Sequence, residues 1–109
     1  MISIVVDNVR PTTAVLIPSS GAELSGTTAV LDASATASYG VGISKVQFVL
    51  TGGSYNQSVI GTATLTLYGY IAFWDTTSVP DGIYTLQSFA TDGAANTNYS
   101  PGITATVDN

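Results

Sequence analysis

Cysteine and histidine are both missing from the 109 residues, and the only cations are Arg10 and Lys45. Their absence removes Ser-His-Asp and Cys-His nucleophiles, the usual zinc ligand sets and redox motifs. Two cations against seven acids leave a net charge of −5. That balance argues against nucleic acid, which is bound by neutralising phosphates with Lys and Arg. Anionic membrane surfaces are disfavoured for the same reason. Zero cysteine says only that no disulfide is required. Long apolar runs are missing too, and none approaches the ~20 residues of a transmembrane helix, so no membrane insertion is expected. The opening "MISIVV" has no basic start, adequate apolar run or small-residue cleavage site, so it does not read as a signal peptide.

What is present is Thr, Ser, Gly, Ala and Val with few charges, a palette suited to β-sheet. Acidic, Lys-poor, Cys-free and Thr-rich chains are common among secreted bacterial proteins, so an extracellular or cell-surface location is expected. A length of 109 residues suits one domain with a core of its own.

Alternation dominates, and helical periodicity is not found. "AVLIP" (Ala14 to Pro18) reads as an edge strand stopped by proline. "SSGAELSG" is a turn with a brief extended step. "TTAVLDASA" turns Ala29, Leu31 and Ala33 inward against Val30, Asp32 and Ser34. "ISKVQFVL" turns Val46, Phe48 and Leu50 inward and Lys45, Gln47 and Val49 outward. "SVIGTATLTL" (Ser58 to Leu67) reads as one strand with a Gly break. "YGYIAFWD" puts Tyr70, Ala72 and Trp74 on one side and Ile71, Phe73 and Asp75 on the other. After the turn at Pro80-Asp81-Gly82 come a long strand, Ile83 to Asp92, and a last one, Ile103 to Val107. The pattern predicts an all-β, antiparallel β-sandwich of about seven strands in two sheets.

The two ends are nearly the same heptapeptide: "ISIVVDN" (Ile2 to Asn8) and "ITATVDN" (Ile103 to Asn109) share four identities. Their starts lie 101 positions apart, the expected period of a tandem repeat. Residues 1–8 then read as the trailing strand and linker of a preceding repeat, and residues 9–109 as the domain proper. Met1 reads as an initiator attached to a fragment of something longer. An orphan strand at residues 2–8 can lie free, pair in cis, or be donated to a neighbouring edge, which would build a filament.

From Pro11 onward the chain resembles bacterial immunoglobulin-like domains, which occur as tandem modules in secreted and cell-surface proteins. The resemblance is carried by "PTTAVLIPSSGAELSG", "GVGISKVQFVLTGG", "FWDTTSVPDGIYTLQSFATDGAANT" and "SPGITATVDN". Its most specific run is Trp74-Asp75-Thr76-Thr77 through Pro80-Asp81-Gly82 to Tyr84-Thr85-Leu86. Family members usually carry Asp-Asn before "VGV" and "AGN" after "TD", where this chain has "ASYGVGI" and "GAAN". The resemblance implies an immunoglobulin-like sandwich that spaces or presents neighbouring enzymatic or adhesive domains of the same polypeptide. It also places Leu86 where disulfide-bonded relatives of this architecture hold a Cys. Trp74 is then expected to pack between the sheets with Phe48 and Leu86 in place of that bridge. Tyr84, just after a turn, is either the anchor of a tyrosine corner or a plain half-buried strand residue.

No catalytic residue is expected. Asp75 and Asp81 are the nearest to a glycosidase pair, but they flank a turn, where Asp usually caps backbone N–H groups. Calcium is the one cofactor the residues allow, because it needs only clustered oxygen ligands. Asp7 and Asn8 of the linker would meet Asp92, Asn96 and Asn98 at one pole, faintly like the calcium-stiffened linkers of cadherins. The other reading is that Asp-Asn ends a strand and opens a flexible linker. Aromatics form a second candidate: Tyr39, Tyr55, Tyr68, Tyr70, Tyr99, Phe73 and Phe89 are many for a plain spacer. The register turns Phe73, Ile71, Phe89 and Val49 outward, where an apolar patch would bind carbohydrate or a surface partner. An off-by-one register would instead make them core. Two sequons, at Asn56 and Asn98, fit exposed loops.

Overall fold

The computed structural model describes residues 9–37 and 41–109. Residues 1–8, with Asp7, Asn8 and the expected orphan strand, lie outside the described residues, as does Tyr39. Ten strands form two sheets that face each other. The front sheet runs in the order β1 (Thr12–Ile17), β3 (Ala29–Thr36), β7 (Gly69–Trp74), β6 (Thr64–Thr66). The back sheet runs β2 (Ala22–Leu24), β10 (Ile103–Val107), β8 (Gly82–Asp92), β4 (Ile43–Gly52), β5 (Tyr55–Thr62). A last short strand, β9 (Thr97–Tyr99), pairs with the second half of β8. Strands β2, β6 and β9 have three residues each, which leaves seven longer ones, the expected number. All pairings are antiparallel except β2 with β10.

Alternation explains what the sandwich buries. Leu31 and Ala33 from β3, Val46, Phe48 and Leu50 from β4, and Leu86 from β8 are each at most 1% exposed and form one cluster. Side chains of one parity from both sheets therefore meet in the middle. Trp74, at 2% exposure, and Tyr84, at 5%, join the same cluster. A buried hydroxyl pair, Thr13 Oγ1 and Ser88 Oγ at 2.7 Å, ties β1 to β8.

The chain changes sheet where local chemistry ends a ladder. Strand β1 stops at the cis Ile17–Pro18 bond, because proline has no N–H to offer a neighbour. The chain then crosses to β10, where the Gly21 N–H donates to Thr104 O (2.7 Å). The single strand expected over Ser58 to Leu67 is two strands in different sheets, and the break falls at Ala63 rather than at Gly61. The Ala63 N–H makes the last link to β4, at Val46 O (2.8 Å), and the next residue, Thr64, already pairs with Ile71. Nothing in side-chain type marks that crossing.

Two outward residues are covered in spite of their parity. Val49 lies outside the core cluster yet is 2% exposed, flanked across the strands by Gln87 and Val59. Asp32 is 4% exposed between Ile17 and Ile71. Its Oδ1 has no hydrogen-bond partner among the described residues, and the same holds for Trp74 Nε1.

Candidate functional site

The long strand β8 sets the geometry of both poles. Its Asp92 end carries the loop to β9, and its Gly82 end receives the last residues of β10. At the first pole Pro11 is buried and its carbonyl accepts from Asn98 Nδ2 (3.0 Å). At the other, the closing Asp-Asn is held firmly. The Asp108 N–H donates to Leu24 O (3.0 Å), and the Asn109 N–H donates to Asp81 Oδ1 (3.1 Å). Asn109 Oδ1 accepts from the Gly26 N–H (2.9 Å) and from the Thr76 hydroxyl (3.3 Å). Thr76 also donates to Gly26 O (2.7 Å), closing a ring of contacts. The described residues thus come in beside Ala90 and go out beside Gly82, about 26 Å apart at ordinary strand rise.

Asp75, Asp81 and Asp92 accept hydrogen bonds from backbone N–H groups. Asp75 caps the short 3-10 turn Thr76–Ser78, accepting from the Thr77 N–H (3.0 Å) and hydroxyl. Asp81 holds Asn109, as above. Asp92 organises the β8–β9 loop: Oδ1 accepts from the Ala94 and Asn96 N–H groups (2.9 and 2.8 Å), and Oδ2 from Asn96 Nδ2 (3.1 Å). Of the calcium set, Asp92 and Asn96 are therefore in direct contact, and Asn98 bonds to Pro11 O instead. Among the described residues, no three acidic side chains cluster.

Burial pushes the Asp92 carboxyl up, but hydrogen bonds from the Asn96 side chain and the Asn96 and Ala94 backbone outweigh it, so its pKa is lowered. A carboxyl whose pKa is lowered by folding adds stability above its unfolded-state value, near 3.8, and loses it as pH falls through the lower folded value. Thermal unfolding from pH 6 down to pH 2 is expected to show a smaller acid-induced fall in Tm for Asp92→Asn than for the unchanged chain. Parallel curves would show that Asp92 does not couple proton uptake to unfolding.

Trp74, Phe48 and Leu86 belong to the same buried cluster. The Tyr84 hydroxyl donates to Pro80 O (2.5 Å), four residues back around the turn, which is tyrosine-corner geometry. Its ring meets Tyr55 edge-on, with centroids 6.2 Å apart.

The other aromatics divide sharply. Tyr70 packs against the core, and Phe89 is half-buried under Tyr99 with centroids 4.4 Å apart. Phe73 and Tyr68, by contrast, are 66% and 79% exposed, and both line one groove on the front sheet. Ile71, Ala72 and the threonines Thr62, Thr64 and Thr66 complete its lining. Sequence reasoning named the two aromatics but missed the threonines. Their spacing at every second position, Thr62-Ala63-Thr64-Leu65-Thr66, was the available signal. Sequence pattern reads Asp108-Asn109 as a linker, flexible or calcium-bearing towards a next repeat, and does not show the loops that bond Asn109.

Two facing sheets with a core free of cysteine and a tyrosine corner define an immunoglobulin-like β-sandwich. The family model described as "Bacterial Ig domain" matches residues 11–87, and the chain belongs to that family. No curated protein matches it. Among solved structures, it is similar to part of an endo-β-1,4-mannanase from Thermotoga petrophila. That match has 22% identity and a TM-score of 0.68, and covers 94% of this chain and 21% of that one. It is also similar to fibronectin(III)-like modules of Clostridium thermocellum CbhA, with 22% identity and a TM-score of 0.61. Here 91% of this chain and 46% of the other are covered. The chain thus spans about a fifth of the mannanase chain and under half of the CbhA chain. No helix of the described residues is long and apolar enough to cross a membrane.

Proposed function

We propose that the chain is a non-catalytic spacer module of an extracellular bacterial protein, holding neighbouring domains at a set distance and angle. The observation that carries this reading is the pinned Asn109. A flexible linker would leave its last residues without partners in the domain. Here the backbone of Asp108 and both the backbone and side chain of Asn109 are bonded into the pole. A neighbour joined after Asn109 starts from a residue that four hydrogen bonds hold against the pole, which shortens the free linker and favours a narrow range of directions. Attachment at opposite poles suits end-to-end stacking, and both similar structures are parts of longer chains.

The test is X-ray scattering from two copies of the chain joined end to end. An extended pair with one dominant inter-domain angle is expected, and Asn109→Gly should broaden it. Scattering that fits freely jointed domains, unchanged by Asn109→Gly, would overturn the spacer reading.

A further inference from the structure

We infer that the groove across the face of β6 and β7, reaching the end of β5, binds a neutral, extended polysaccharide chain, a role independent of spacing. The groove is an open surface depression of about 600 Å³, a size that suits an extended ligand lying across it. Tyr68, Ile71 and Phe73 supply apolar surface, and Thr62, Thr64 and Thr66 supply hydroxyls. Gly69 to Phe73 spans about 13 Å of strand, so the two aromatics suit a chain of sugar rings better than a single one.

The chemistry of the lining selects the occupant. A pyranose ring has one face of C–H groups and an edge of hydroxyls. The negative face of a Phe or Tyr ring attracts those C–H groups. Threonine hydroxyls donate and accept, so they match sugar hydroxyls in either sense. Thr66 is already used: its hydroxyl donates to Gly69 O (3.0 Å) and accepts from the Tyr68 N–H (3.1 Å), which fixes the turn carrying Tyr68. The Thr62 and Thr64 hydroxyls make no hydrogen bond among the described residues and remain available for a ligand. Charge decides the rest. No lining residue is ionised, the chain carries −5, and its cations, Arg10 and Lys45, are not part of the groove. A neutral glycan is matched by such a surface, and a uronic-acid polymer is repelled by the protein as a whole. A protein-docking face would be expected to offer Arg or a charged rim as well. Exposing a Phe at 66% in mid-sheet is otherwise a solubility liability.

The experiment is native affinity electrophoresis of the whole chain in gels containing galactomannan, hydroxyethylcellulose or polygalacturonate. Calorimetry with mannohexaose and cellohexaose accompanies it. Retardation by at least one neutral polymer is expected, with none by polygalacturonate. Phe73→Ala and Tyr68→Ala should each weaken binding about tenfold. Phe73→Trp should keep it, and Tyr99→Ala, on the other sheet, should leave it unchanged. Both groove aromatics are exposed, so circular dichroism should show the variants folded. Three results overturn the proposal. One is no retardation by either neutral polymer, and another is retardation that survives in the Tyr68→Ala/Phe73→Ala double variant. The third is sedimentation showing a dimer that Phe73→Ala dissociates, which would make the face a contact between copies of this chain.

Discussion

Trp74→Ala is expected to destabilise the chain by about 3–5 kcal/mol, the usual cost of truncating a fully packed aromatic. Trp74 is 2% exposed and shares the inter-sheet cluster with Phe48 and Leu86, so its removal opens a cavity that both rigid sheets must frame. One term runs the other way. The buried Nε1 has no partner among the described residues, so the variant also sheds an unsatisfied N–H, and the lower half of the range is the better expectation. Urea unfolding followed by circular dichroism is the measurement, because Trp74 is the sole tryptophan and its fluorescence leaves with it. A midpoint lowered by more than about 1 M is expected. The neighbouring Phe73→Ala supplies the contrast: at 66% exposure it should shift stability by less than about 0.5 kcal/mol. A larger shift for Phe73→Ala than for Trp74→Ala would mean that the strand presents the opposite faces, and equal shifts would mean that both faces are covered.

The second large effect is expected at Gly69. Its φ of +115° is a backbone state that an L side chain rarely adopts. A Cβ there would also meet Asp32 Oδ1 at 2.6 Å and Ala33 O at 3.1 Å. Backbone strain and overpacking each contribute about 1–3 kcal/mol, so Gly69→Ala should cost roughly 2–5 kcal/mol. The two terms separate in a double variant. Asp32→Ala removes the carboxylate but leaves the backbone state and the Ala33 carbonyl, so Asp32→Ala/Gly69→Ala should recover part of the loss. Full additivity of the two single changes would show that the carboxylate does not abut the glycine.

Both predictions rest on parity, and parity was readable from the chain. Alternation along residues 43–50 and 70–75 assigned Phe48, Leu50, Ala72 and Trp74 to the inside, where the structure has them. It also turned Phe73 outward, and the exposure agrees. Side-chain period is a property of the extended backbone itself, so residue order alone carries it. The turn at Pro80-Asp81-Gly82 and the stop at Pro18 are equally local, because they depend on backbone angles and on a missing N–H. Family membership followed the same route, from runs such as "FWDTTSVPDGIYTL" that survive as continuous text.

What escaped the sequence depends on neighbours distant in the chain. Val49 and Phe89 point outward as alternation requires. Yet one is covered between Gln87 and Val59, and the other lies under Tyr99, carried in by a three-residue strand no pattern announced. The sheet change at Ala63 is invisible for a related reason: both halves of Ser58 to Leu67 are equally good strand, and the choice of partner is made by β4 and β7. Asn109 reads as the start of a loose tail until Gly26, Thr76 and Asp81, from loops 28 to 83 residues away, close around it. Inward faces and turns are short-range consequences of residue chemistry, so residue order carries them. Which strands pair and in which direction, which outward faces are covered, where Asn109 is held, and which threonines stand beside which aromatics depend on packing between distant segments, so they exist only in the folded chain.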